Sequence, residues 1–483
     1  MHSISVDNEL RPDAVRRANG LAIAMISLIL PVAVSTAAAA DEQAVEGDGM
    51  ASLTELVPTL TPVPDYSGSL GERYTLLGDF GGARQGLYDK GIAIDATFTQ
   101  VYQGVTSGGT DETWEYHGLL EYGATLDTGK LGWWPGGLIT VNMYTSTGDI
   151  LLGDAGNIAP VNFNSALPDT NPSSTFPIEY YLTQALPTET VVTVGRINPS
   201  NFLDRSQFAN DRKTQFLNAA MDNNVMVGSF LSFSTYALLA FQPINDNVKV
   251  YAAAVDSSLQ PMDYSPDNGL FSDMAYGVGA DIEWELGNGL GGSLNPVAMY
   301  TEKDTAEVDN PYYPFNALED LVLPINAPTR SDNHAFIATL NQYLWKPKGT
   351  VSGGASKRSG PGPASDFAFQ ETGIGLTVRA GWGPEDSNPF NAYVSAAIGA
   401  TGIIPGRPYD RMGFGGYGLF VSDDFEDLPL VGALLDDEFG LEAFYNFAIT
   451  PALQFSVDVQ WIDPGVELTD DTWVVGTRLF TRF

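Results

Sequence analysis

Arg196, Arg205, Arg212 and Lys213 fall within eighteen residues and carry four of the chain's 23 lysines and arginines, where an even spread would place about one. Asp204 and Asp211 sit among them, and Phe202, Phe208 and Phe216 punctuate the same stretch. Long side chains of both signs in one segment make a row of donors and acceptors and a transverse field, the chemistry that selects solutes in a narrow passage. Sugar hydroxyls both donate and accept, so such a row can replace their hydration stepwise without holding them too tightly. Arg205, Arg212 and Lys213, approached by Arg196, would supply positive potential and donors, while Asp204 and Asp211 would orient them and accept from hydroxyls. The phenylalanines have two readings: Phe202 and Phe208 offer apolar faces to sugar rings, or all three rings pack the segment against its support.

No rival chemistry stands out. An enzyme would need a nucleophile with a base, or a carboxylate pair, yet beyond residue 40 the histidines are His117 and His334, with no serine or aspartate arrangement around either. The chain has no cysteine, which excludes a disulfide framework and thiol chemistry. Its net charge of −36 argues against nucleic acid or another polyanion as partner. No cofactor is expected, apart from divalent cations that acidic loops could hold against lipopolysaccharide.

The elements that position this segment read as membrane-crossing strands. Counting back by twos from the end gives Phe483, Thr481, Leu479, Thr477, Val475 and Trp473, and the interleaved set is Arg482, Phe480, Arg478, Gly476, Val474 and Thr472. Successive strand residues point to opposite faces, so one face suits lipid and the other a watery lumen that holds Arg478 and Arg482. Leu453, Phe455, Val457, Val459 and Trp461 alternate with Gln454, Ser456, Asp458 and Gln460, which makes Asp458 lumen-facing as well. Runs of about ten residues rimmed by Trp and Tyr fit a transmembrane barrel better than a soluble β-sandwich. Strand-like runs at 92–104, 115–127, 137–147, 177–187, 189–197, 225–242, 247–256, 273–286, 291–302, 333–346, 368–382, 390–401, 411–421, 438–449, 452–463 and 471–483 make sixteen. The fold class is therefore all-β, a transmembrane antiparallel barrel, preceded by a short periplasmic helix that Asp79 caps, with Phe80, Ala83 and Leu87 on one face and Gly91 ending it.

The apolar run 21–34 follows Arg16 and Arg17 and precedes small residues, so residues 1–40 read as a secretory signal peptide. Residues 41–70, rich in Asp, Glu, Pro, Gly and Ser, read as a flexible periplasmic lead-in, and 71–483 as the barrel domain. With the last strand ending in the periplasm, short links fall inside and the long links 148–176, 198–224 and 303–332 fall outside, while 347–367 is a long exception. The outer loops gather acids such as Asp423, Asp436, Asp437, Asp463, Asp470 and Asp471, and the inner links gather Lys130, Lys346 and Arg407.

Three stretches carry a family resemblance. Gly78-Asp79-Phe80-Gly81-Gly82-Ala83-Arg84, the run Phe208-Ala209-Asn210-Asp211-Arg212-Lys213-Thr214-Gln215-Phe216-Leu217-Asn218, and Glu442-Ala443-Phe444-Tyr445-Asn446-Phe447-Ala448-Ile449-Thr450-Pro451 resemble the carbohydrate-selective porins of Gram-negative outer membranes, the OprB type. The resemblance covers about residue 71 onward. It implies sixteen strands, a periplasmic helix, and facilitated diffusion of monosaccharides such as glucose through a constricted, partly cationic pore. The implied partners are sugars as solutes, outer-membrane lipid and lipopolysaccharide, and the barrel assembly machinery, in a monomer or homotrimer. Arg212-Lys213 is more basic than the motif leads one to expect, which opens a shift towards anionic solutes. A general or anion-preferring porin is the alternative function, and a purely structural or adhesive barrel a further one.

Overall fold

The computed structural model describes Tyr66 and residues 68–167, 174–258, 270–303 apart from 288, 332–347, 372–423 apart from 386 and 389, and 435–483 apart from 467 and 468. The expected signal peptide, most of the lead-in, and much of the links 303–332 and 347–367 lie outside the described residues. Sixteen strands are described: β1 Ile92–Gly109, β2 Trp114–Asp127, β3 Gly137–Gly148, β4 Thr175–Ala185, β5 Val191–Ile197, β6 Thr235–Asn245, β7 Val248–Asp256, β8 Met274–Glu285, β9 Gly291–Thr301, β10 Asn333–Trp345, β11 Gly373–Trp382, β12 Phe390–Thr401, β13 Arg411–Val421, β14 Glu438–Thr450, β15 Leu453–Asp463 and β16 Asp470–Arg482. Each pairs antiparallel with its sequence neighbours, and β1 pairs with β16 to close the barrel. Closure leaves no edge whose backbone groups would meet lipid unpaired.

The alternation read from the sequence is the alternation of the wall. On β15, Phe455, Val457 and Val459 are exposed, while Gln454, Ser456, Asp458 and Gln460 are buried inside. On β16 Trp473 is exposed and Arg478 and Arg482 are buried. Exposed aromatics collect at both rims: Trp133, Trp134 and Trp345 at the end where β1 starts and β16 finishes, and Tyr102, Trp114, Phe336, Trp382 and Trp473 at the far end. Tyr102 stacks on Trp114 and Phe336 on Trp382. Such girdles suit the lipid headgroup level.

Three expectations need correction. Residues 225–242 are not one strand: Val225–Phe230 is a short helix, and β6 begins at Thr235. Asn224 caps that helix by accepting from Met226 N at 3.2 Å, and a short apolar run fits either period. The helix Ala83–Asp89 buries Arg84 and Tyr88 instead of the Phe80 face, and Phe80 is 59% exposed. Arg84 turns inward because its Nη2 donates to Phe483 O at 2.9 Å and its guanidinium lies over the Tyr66 ring. Asp79 accepts from Gln85 N at 2.8 Å, although Gly82 is the residue at the helix cap.

The third correction concerns the link between β3 and β4, expected outside. Residues 155–167 are buried, and Val161 O accepts from Gln103 Nε2 on β1 and Gln460 Nε2 on β15, both lumen-side residues. This segment folds into the barrel. It lies against the 198–224 segment, to which it is tied by Phe163 N donating to Leu217 O at 2.8 Å and Ala219 N donating to Pro160 O at 2.9 Å.

Candidate functional site

The segment between β5 and β6 crosses the lumen, and the inward faces of strands on several sides hold it. Its backbone has left the sheet, so its polar groups need partners from the wall. On β10, Asn341 donates to Arg205 O at 3.0 Å and accepts from Gln207 N at 3.3 Å. On β11, Arg379 pairs with Asp204 at 2.9 Å and also donates to Met221 O, Asp222 O and Ala209 O. On β16, Arg478 donates to Arg212 O at 2.8 Å and Gln215 O at 2.7 Å.

The aromatic rings pin the segment from beneath. Phe208 sits in a notch on β11 and β12 where a Cβ at Gly375 or Gly399 would collide with it, and it meets Tyr343 edge-on at 4.9 Å. Phe216 packs on Gly413 and edge-on to Phe444 at 4.8 Å. Phe202 lies between Tyr181 and Phe241. All three rings are buried, so the packing reading fits them, and Phe202 and Phe208 offer no face to a passing solute.

Burial sorts the charged candidates too. Arg196 shares the outward parity of Val194, lies opposite Tyr180 and Tyr236, and donates to Ser234, with no surface exposed. Its side chain lies in the wall between β4 and β6. Asp204 is likewise wholly buried under Arg379, an anchor out of reach of solute. Arg478, Asp458 and Arg482 lie on the buried parity of their strands, Arg478 under the segment it holds and Arg482 beside Asp95.

What stays partly open is the stretch Arg205 to Gln207 and Asn210 to Arg212. Each cation there has an acidic partner. Arg205 Nη1 lies 3.5 Å from Asp281 on β8, with its Nε and Nη2 unpartnered among the described residues. Arg212 pairs with Glu121 on β2 and reaches Tyr144 Oη at 3.3 Å, and Lys213 Nζ is 3.2 Å from the same Glu121. Asp211 pairs with Arg411 on β13 at 2.6 Å. Burial raises the Asp211 carboxyl, but Arg411, the Thr214 hydroxyl and Lys213 outweigh it and hold it at about 2. It is an ionised acceptor at any physiological pH.

The cluster therefore combines Arg205, Arg212, Lys213 and Arg411 with Asp211, Glu121 and Asp281, four cations against three carboxylates. Sequence reading missed Glu121, Asp281, Arg379 and Arg411. For Arg379 and Arg411 the signal was parity, each being the one charged residue of a strand whose other inward positions are small or uncharged, whereas Glu121 and Asp281 share their strands' inward parity with other acids and do not stand out. Among the described residues no group of His, Cys, Asp and Glu has the make-up of a metal site.

The high-pH structure of Pseudomonas putida OprB is similar to this chain with a TM-score of 0.68 at 20% identity, covering 86% of this chain and 100% of that one. The low-pH structure of the same protein gives 0.52 at 16%, covering 86% and 99%. These likenesses are of fold. No curated protein matches the chain in sequence. The model of the carbohydrate-selective porin, OprB family, matches residues 111–483, and the chain belongs to that family of sugar-passing outer-membrane barrels, which are channels and not enzymes.

Proposed function

We propose that monosaccharides, glucose among them, cross this barrel past Arg205, Ser206, Gln207, Asn210, Asp211 and Arg212, with Glu121 and Asp281 holding the cations from the wall behind them. The observation that carries this reading is the pairing of every cation of the cluster with a carboxylate. A row of donors and acceptors with little net charge favours a neutral polyhydroxy solute, whereas a general anion path would leave its cations unpaired. Residues 1–40 serve as the export signal in this reading and 41–70 as a periplasmic lead-in. The barrel assembly machinery inserts the chain as a monomer or homotrimer, and its acidic far end meets lipopolysaccharide through divalent cations.

The Arg205→Ala/Arg212→Ala double variant tests the site. Single-channel recording should show a larger conductance, reduced anion preference and weaker block by sugars, with liposome swelling less able to tell one sugar from another. Barrel stability should change little, since lumen positions tune selectivity more than they hold the wall. Unchanged conductance, ion selectivity and sugar block would place the narrow point elsewhere, and strong swelling with organic acids alongside weak swelling with sugars would favour the anion reading.

A further inference from the structure

An irregular segment inside a barrel has no ladder partner for its backbone N–H groups and must find acceptors on the wall. Two glutamates of β14 meet this need in the same way. Glu438 accepts from the successive amides Ile158 N and Ala159 N, the second at 3.0 Å. Glu442 accepts from the successive amides Leu217 N and Asn218 N, the second at 3.1 Å. In each case one carboxylate oxygen takes one amide. The first pair belongs to the infolded segment after β3 and the second to the infolded segment after β5.

Both side chains are buried, at 0% and 1% exposure, so neither can touch a solute. Tyr417 Oη donates to Glu438 at 2.8 Å, and Gly465 N approaches it at 3.3 Å. Gln460 steadies the second clamp by accepting from Asn218 Nδ2 at 3.2 Å. The glutamates are four residues apart on one face, hence about 13 Å along the strand at ~3.3 Å per residue. A single strand thus fixes the spacing of two segments that also bond to each other through Phe163 N to Leu217 O and Ala219 N to Pro160 O.

We propose that Glu438 and Glu442 are positioning residues of the pore: by clamping both infolded segments to β14 they set the width and side-chain placement of the passage without meeting the solute. This rests on the reading of residues 205–212 as the selective stretch. A carboxylate is required because it offers an acceptor to each of two converging donors, and an isosteric Gln would turn an N–H₂ group towards one of them and leave that amide unpaired.

The chain has no cysteine, so single-cysteine reporters are clean. Ala166→Cys and Ala220→Cys, both buried in the wild-type packing, should react slowly with a small thiol reagent. Glu438→Gln should speed labelling at Ala166→Cys and Glu442→Gln at Ala220→Cys by about tenfold, the order of change that leaving one buried amide unpaired produces. Each should also lower sugar block and raise conductance while the barrel stays heat-modifiable. Glu438→Asp and Glu442→Asp, which keep the carboxyl group but shorten the reach, serve where a Gln variant does not assemble, and should show the same labelling and conductance changes. If assembled variants show unchanged labelling and sugar block while Arg205→Ala/Arg212→Ala alters block, the clamps are overturned and the selective stretch stands. If neither Gln nor Asp variants assemble, the glutamates act on the barrel and not on the passage, which also overturns the proposal. If the arginine double variant changes nothing but the glutamate variants do, the clamps stand and the selective stretch moves.

Discussion

Glu121 decides what the two most basic neighbours of the passage can do. It holds Arg212 and Lys213 together, so Glu121→Gln takes from both cations the carboxylate they share. Breaking a buried pair costs about 3–5 kcal/mol, and the 13% and 10% exposure left on the two cations points to the low end or below. The expected outcome is a several-fold rise in the anion-to-cation permeability ratio read from the reversal potential, with sugar block reduced and the barrel still assembled; a reversal potential that does not move would mean the pair lies off the ion path. Asp222 gives a pH test of the same segment. Burial pushes its carboxyl up to about 7, against the pull of Arg212 and Arg379 and with the help of Asp211 and Asp204. A folded value above the ordinary 3.8 means the protonated form stabilises the fold. That contribution is complete below about pH 4 and is lost as pH rises through about 7. Asp222→Asn should therefore match wild type in thermal stability at about pH 4 and exceed it above about pH 7, and equal melting curves at both pH values would remove Asp222 from the account.

At the scale of elements, the legible parts of the sequence were those where a single physical rule acts alone. β14 and β15 could be read almost residue by residue because lipid on one side and packed lumen on the other enforce strict alternation, and because Pro451 and Ala452 leave room only for a turn. Residues 225–234 were misread because an apolar wall around an infolded segment accepts a helix as readily as a strand. The infolding of residues 155–167 is not legible because length alone carries no direction, and the amides of Ile158 and Ala159 are satisfied by Glu438, far away in sequence. Glu121, Asp281 and Arg411 were missed for the same reason, since the partner of each is set by barrel closure. The C-terminal element is a firmer case. Phe483 N donates to Ala96 O at 2.9 Å, Arg84 Nη2 holds Phe483 O, and Leu76 N donates to Arg482 O at 2.7 Å. Deleting Phe483 removes the first two contacts at the seam where β1 meets β16, and assembly should fall, seen as loss of the heat-modifiable band. Arg84→Ala removes charge-assisted bonds to Gly78 O and Phe483 O, each worth about 1.5–3 kcal/mol, but keeps Phe483 N on Ala96 O and should give a milder loss. A normal band after the deletion would separate the terminal residue from assembly.

For the whole molecule, parity and charge give one orientation. Sixteen strands put the start of β1 and the end of β16 at one end, and the connections described there are short, such as the links between β4 and β5, β6 and β7, and β14 and β15. The far end carries Asp111, Glu112, Asp149, Asp154, Asp423, Asp436, Asp437, Asp463, Asp470 and Asp471, while Lys130, Lys346 and Arg407 lie at the end where β1 starts and β16 finishes. Outer-membrane barrels keep short turns in the periplasm and long loops outside, so the acidic end should face the medium and account for much of the net charge of −36. Asp111→Cys and Lys130→Cys, both at exposed positions, report the two ends in a chain with no cysteine of its own. A maleimide carried on a polymer too large for the pore should label Asp111→Cys in intact cells and reach Lys130→Cys only after the outer membrane is opened. The reverse pattern would turn the barrel over, placing the acidic loops in the periplasm and the segment after β5 at the inner mouth, so that solutes entering from outside would meet the Arg482 and Asp95 pair before the selective stretch.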